Sequence, residues 1–226
     1  RDYYASRGLG DVYKRQDIHS DEATFEVQFG NVTRKVHTNT SWDKARFESC
    51  AQKWMDFSEG HYGVSLLNDC KYGHSVREGV IGLTLIKCGV EPNPNADVEM
   101  HTFTYALYPH AGTWKEARTV EESYQLNLPA YAVQGGRPGQ TFSYAAVEPR
   151  NVVLETVKQA EDGDGVVLRM YECENARTKT VVRLPEGARK AYLTNLLEEV
   201  QEELPIVDGK VTFITKPFEI QTLLVK

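Results

Sequence analysis

The chain has 226 residues, 41% of them hydrophobic and 10% aromatic, which is enough apolar material for one large or two small domains with real cores. A formal charge of −6, from 26 Lys+Arg against 32 Asp+Glu, gives no general attraction to nucleic acid or to an anionic membrane. No apolar run approaches the about 20 residues needed to span a bilayer, and no apolar h-region opens the chain, so neither membrane insertion nor secretion is expected.

Arg1–Gln16 has no apolar periodicity, and its string GLGDVYKRQ (Gly8–Gln16) resembles translated non-coding tails on assembled environmental sequences. Residues 1–20 are therefore set apart as a leader, non-native or disordered, outside the fold. Strand signals begin at Thr24, where Phe25, Val27 and Phe29 alternate with Thr24, Glu26 and Gln28. Further short runs rich in β-branched and aromatic residues are Val64–Leu67, Val80–Ile86, His101–Tyr108, Val152–Val157, Val166–Tyr171, Thr178–Leu184, Lys190–Thr194, Val211–Thr215 and Glu219–Val225. Asp162-Gly163-Asp164-Gly165 and Asp208-Gly209 are the clearest hairpin signals, because Asp-Gly accepts the positive φ of tight turns. Many short strands at this spacing predict sandwiches.

One helix is predicted over Thr113–Leu126. Trp114, Ala117, Val120 and Tyr124 share a face, and Thr113 with Glu116 forms a capping box. The acidic stretch Leu196–Leu204 reads as an exposed connection. Pro129, Gly135, Gly136, Pro138 and Gly139 mark a boundary. The expected domains are residues 21–134 and residues 135–226, the latter comprising a linker and a compact strand array from about Thr141.

Cys50, Cys70, Cys88 and Cys173 form no CxxC pair and read as reduced thiols of a cytoplasmic protein. The histidines lack HxxxH or HExxH spacing, so no local zinc site is expected. Carboxylate pairs such as Asp162/Asp164 and Glu202/Glu203 sit next to each other in sequence and read as solvated turns or exposed connections. A retaining glycosidase instead needs two carboxyls facing each other at about 5 Å across a sugar. The richest constellation is NTSWD (Asn39–Asp43), Lys53-Trp54 and YGVSLLNDCKYG (Tyr62–Gly73). Asn68, Asp69, Lys71 and Tyr72 follow a strand and fall in a loop bounded by Gly73. Rings with amides and carboxylates suit sugar recognition. Asn and Asp equally suit a plain polar turn.

These blocks carry a resemblance. FEVQFGNVTRKVHTNTSWDKARFE (Phe25–Glu48), YGVSLLNDCKYG, HSVREGVIGLTLIK (His74–Lys87) and FTYALYPHAGTW (Phe103–Trp114) resemble, in order, the C-terminal β domain of glycoside hydrolase family 38 α-mannosidases. VEPRNVVLETVKQAEDGDGVVLRMYE (Val147–Glu172), AYLTNLLEE (Ala191–Glu199) and KPFEIQTLLV (Lys216–Val225) resemble the small terminal sandwich of the same enzymes. The NDCKYG form is more similar to the cytosolic and bacterial branch. Lys35 stands where the family pattern has proline, and Gln52 where it has histidine.

The resemblance implies an all-β fold. It would be part of a large β-sandwich (supersandwich, galactose mutarotase-like) with one helix, followed by a small C-terminal β-sandwich. It further implies a retaining α-mannosidase whose nucleophile, acid and zinc ligands lie in an N-terminal barrel and a helical segment outside this chain. On that reading the chain has no catalytic residue and no cofactor of its own and is inactive alone. Its partners are the barrel, the helical segment and, through the parent enzyme, α-mannoside glycans, with no nucleic acid or membrane. Asn68, Asp69, Lys71 and Tyr72 match a loop bordering the sugar site. The alternative is a freestanding carbohydrate-binding or structural β-sandwich module.

Overall fold

The computed structural model describes residues 6–15, 17–136 and 139–226. The chain divides into two compact units, Arg1–Ala132 and Val133–Lys226.

The first unit is built from strands β1 (Ser6–Arg15), β2 (Glu22–Val27), β3 (Gly30–Lys35), helix α1 (Ser41–Ala45), β4 (Ser49–Cys50), β5 (Trp54–Ser58), β6 (Tyr62–Asn68), β7 (Gly73–Arg77), β8 (Val80–Gly89), β9 (Tyr105–Ala111) and helix α2 (Thr119–Asn127). They form a four-stranded sheet, β1-β8-β7-β4, and a five-stranded sheet, β3-β2-β5-β6-β9, with every pairing antiparallel. One apolar cluster joins the two sheets. Phe25, Met55, Phe57, Val64 and Leu66 come from one, and Val76, Ile81 and Leu83 from the other. Glu78 and Gly79 both have positive φ, 50° and 72°, and close the β7–β8 hairpin with a primed turn whose twist matches its strands.

The second unit contains β10 (Ala146–Glu148), β11 (Val152–Gln159), β12 (Val166–Glu172), β13 (Thr178–Arg183), β14 (Ala191–Thr194), β15 (Val200–Leu204), β16 (Lys210–Thr215) and β17 (Ile220–Val225). A three-stranded sheet, β10-β13-β16, and a five-stranded sheet, β11-β12-β17-β14-β15, enclose Val152, Leu168, Met170, Val182, Val211, Phe213 and Leu223. The expected all-β sandwich class is what the chain adopts. Asp208 and Gly209 take φ of 50° and 71° between the bridged pair Val207 and Lys210, the turn their sequence predicts.

Several elements differ from the sequence expectation. Ser6–Arg15, placed in the leader, pairs along β8, with Val12 opposite Leu83. Ile18 is only 8% exposed and joins the core. Residues 6–15 and 17–20 thus take part in the fold, while residues 1–5 and 16 lie outside the described residues. Ladder hydrogen bonds use backbone groups, so a free β8 edge can be paired by a segment with no side-chain period. The predicted helix begins at Thr119 rather than Thr113, because Arg118 sits at φ 59° and separates it from the preceding turn. The Thr113–Glu116 box does form, but on that turn: the Glu116 carboxylate accepts from the Thr113 N–H at 2.8 Å. The acidic connection contains β15, an edge strand paired with β14, whose exposed Glu202 and Glu203 keep the edge charged. The strand expected over His101–Tyr108 runs instead over Tyr105–Ala111.

Among the described residues no helix is long and apolar enough to cross a membrane. The four cysteines are free thiols.

Candidate functional site

The loop after β6 is organised by Asn68. Its carboxamide oxygen accepts from the N–H groups of Cys70, at 3.1 Å, and Lys71, at 2.6 Å, which folds the chain back on itself. Its amide nitrogen donates to the Gln52 carbonyl at 2.8 Å and meets His74 Nε2 at 3.4 Å. Asn127 of α2 donates to the Asn68 carbonyl at 3.1 Å. At 1% exposure Asn68 is a buried organiser, not the projecting group its loop position suggested. An Asn that can bond its own following N–H groups closes the turn from inside.

His74, 0% exposed, clamps the loop from beneath. Its Nδ1 lies 3.2 Å from the Tyr72 carbonyl, which accepts, so the proton sits on Nδ1 and Nε2 is free to accept from Asn68. Burial pushes the His74 imidazole down to about 4, and the ring is neutral at pH 7. The Tyr72 carbonyl also accepts from the Ala51 N–H at 3.1 Å.

Three residues remain to face outward. Asp69 is exposed, and its carboxylate accepts from the Thr104 N–H at 2.9 Å. Partial burial would raise its pKa, but hydrogen bonds from Cys70 and Thr104 outweigh this and hold the carboxyl below its ordinary value. Lys71 is half-buried with its ammonium 5.1 Å from the centre of the Phe103 ring. The Tyr72 ring is 57% exposed although its backbone is fixed. The loop thus presents an acid, a cation and a ring from a hydrogen-bonded frame.

A second polar cluster escaped the sequence reading. Asp56 on β5 accepts from His110 Nε2 on β9 at 2.8 Å and from the Ser65 hydroxyl on β6 at 2.8 Å. Ser58 donates to its other oxygen. Ser65 also lies 2.8 Å from the Thr119 hydroxyl in the first turn of α2. A side chain at Gly63 would collide with Ser58 and the His110 ring, so glycine is required beside the cluster. Ser, His and Asp meet here as in a hydrolytic triad, but they are 0%, 9% and 2% exposed and cannot reach a substrate. The cluster fixes α2 to the sheet. Trp114, 4.9 Å from the Trp54 ring, reinforces the same face. The signal available in sequence was a polar residue inside each apolar strand, Asp56 in WMDFS and Ser65 in VSLL.

Among the described residues, no group of three or more His, Cys, Asp or Glu side chains is placed to hold a metal.

Comparison with known proteins places this frame. Residues 12–95 match the glycosyl hydrolases family 38 C-terminal domain, and residues 151–223 match the glycosyl hydrolases family 38 C-terminal beta sandwich domain. The chain is 41% identical over 214 residues to human alpha-mannosidase 2C1, and 37% identical over 213 residues to alpha-mannosidase G of Dictyostelium discoideum. These alignments cover 92% and 91% of this chain but only 21% and 20% of the relatives. An alpha-mannosidase crystal structure from Enterococcus faecalis superposes with a TM-score of 0.77 at 20% identity, covering 96% of this chain and 25% of that one. At that identity the superposition speaks for the fold alone. Two consecutive β-sandwich units of this kind define the C-terminal region of a glycosidase. The chain belongs to glycosyl hydrolase family 38, as its C-terminal domains.

Proposed function

We propose that this chain is the C-terminal β region of a retaining α-mannosidase that hydrolyses terminal α-mannosides. It packs on a catalytic barrel and a helical segment and lends the Asp69–Tyr72 loop to the sugar site. The observation that carries the reading is the loop itself: an exposed acid, an exposed ring and a half-buried ammonium on a frame held by Asn68 and His74. Such preorganisation is what ligand contacts need and what a plain surface turn does not require.

Docking on a further domain is supported by α1. Its capping box, with Thr40 and Asp43 bonding reciprocally, holds Trp42 at 78% exposure, and Phe47 beyond it is 59% exposed. Rings of this size held rigidly in water favour a partner surface. The protein acts in the cytoplasm, a reading supported by the free thiols and by identity to alpha-mannosidase 2C1. Zinc, nucleophile and acid belong to the catalytic part, so the isolated chain has no activity. The purified chain is expected to leave an aryl α-mannoside intact and to retain no stoichiometric zinc after dialysis. Turnover that a chelator abolishes would overturn this.

A further inference from the structure

Between β3, α1 and the end of β7 lies a small, partly open cavity of about 20 Å³. That is room for a single monoatomic occupant. Its lining includes Arg34, His37, Asp43, Arg46, Ser75 and Arg77.

The hydrogen-bonding inventory of this wall is one-sided. Asp43 is its carboxylate, and both oxygens are committed. One accepts from the Thr40 N–H at 2.9 Å and hydroxyl at 2.7 Å, and the other from Arg46 at 2.9 Å. Among the described residues Arg34 and Arg77 have no carboxylate within ion-pair distance. Arg34 is held with its guanidinium carbon 5.9 Å from the centre of the Phe25 ring. Its Nε is fully buried with no hydrogen-bond partner, and so is His37 Nδ1. His37 Nδ1 lies 3.4 Å from Asp43 without making a hydrogen bond to it. A buried guanidinium N–H left without an acceptor is costly. The missing partner is an acceptor that carries negative charge and fits one atomic volume. A carboxylate or phosphate is too large; a water would satisfy the N–H, whereas a halide does so and also adds a charge opposite to two guanidiniums without a carboxylate, half-buried Arg34 and exposed Arg77.

We propose that this cavity binds a halide-sized inorganic anion, chloride under ordinary conditions. Arg34 Nε–H is its principal donor, and Arg77 supplies further positive potential. The bound ion ties β3 to β7, strands of opposite sheets, and so stabilises the first unit. It is independent of the sugar-site reading.

The test uses the full chain and the halides themselves. Melting is followed at constant ionic strength while gluconate is exchanged for chloride, and crystals grown in bromide are examined at the bromine edge. The expected result is a saturable rise in the midpoint of about 2–4 °C in chloride. An anomalous peak within hydrogen-bond reach of Arg34 Nε accompanies it. Arg34→Met abolishes the chloride dependence; should that variant not fold, Arg77→Gln weakens it. Equal midpoints in chloride and gluconate overturn the proposal and leave a water in the cavity. A bromide peak without any chloride dependence also overturns it, as an adventitious ion only.

Discussion

The two units solve the sandwich problem by different means. In the second, alternation is clean: β16 buries Val211, Phe213 and Thr215 and exposes Lys210, Thr212 and Ile214. Its buried carboxylate, Glu172, accepts from the Glu174 N–H at 2.8 Å, the Phe218 N–H at 3.0 Å and the Asn151 amide at 2.9 Å, so it ties loops together at a strand end. In the first, β5 is buried on both faces. Met55 and Phe57 meet the other sheet, while Trp54 and Asp56 meet the segment around α2. That second face is closed by the Asp56–His110–Ser65–Thr119 cluster rather than by aliphatic packing. The lesson is that the second unit is specified by apolar pattern. The first is specified by buried polar contacts, which orient particular loops and a helix.

All three tryptophans, Trp42, Trp54 and Trp114, lie in the first unit, so tryptophan fluorescence follows it selectively while far-UV dichroism follows both. The largest effect should come from Asp56→Ala. It strands a buried imidazole and two hydroxyls, and breaking such a pair costs about 3–5 kcal/mol. Urea titration should show the fluorescence transition move to lower denaturant while the second unit's dichroism transition stays in place.

Leu168→Ala is the converse experiment. Leu168 is 0% exposed in the second core, and truncation there costs about 2–5 kcal/mol. The dichroism transition of the second unit should shift and the fluorescence midpoint should not. If both midpoints move together in either variant, the units melt as one body and the contrast between them fails.

The pH response separates the units further. His74 is held at about 4 in the fold, below its ordinary value of 6.5. A depressed histidine stabilises most above its unfolded value, so the first unit should lose up to about 3 kcal/mol as pH falls from about 6.5 to about 4. His74→Gln should flatten that limb. His110 has the opposite sign. Burial alone would lower its pKa, but the hydrogen bond and charge of Asp56 raise it. Its contribution is present below the unfolded value and fades as pH rises through the folded one. An unchanged acid limb in the His74→Gln variant would remove His74 from this account.

How much of this was legible in sequence follows the same division. In the second unit β11, β12, β13, β14, β16 and β17 could be read from β-branched runs and Asp-Gly turns, because pattern and burial coincide there. In the first unit β5, WMDFS, was missed because a strand buried on both faces does not alternate. Its β7 was missed because Gly73-His74-Ser75 carries no apolar signature, although His74 is fully buried. The loop position of Asp69, Lys71 and Tyr72 was legible from the strand before it and the glycine after it. The inward turn of Asn68 was not, since it depends on Gln52, His74 and Asn127, which are distant in sequence or disguised as loop residues.

The loop also divides into two classes of residue. Asn68→Ala should lower the melting temperature, because the buried Asn68 side chain gives up its part-buried hydrogen bonds from the Cys70 and Lys71 N–H groups, at about 0.5–1.5 kcal/mol each. Tyr72 and Lys71 should behave otherwise, and that difference gives the most direct measurement of the central claim. In an enzyme rebuilt by joining this region to a family 38 catalytic barrel, Tyr72→Ala and Lys71→Ala should each lower kcat/KM by about tenfold or more. Tyr72→Ala should stay within about 0.5 kcal/mol of the parent, as for exposed residues generally, and Lys71→Ala, which gives up its contact with the Phe103 ring, within about 1 kcal/mol. Parental kcat/KM in both variants would contradict the account and leave the loop as a well-built turn with no part in binding sugar.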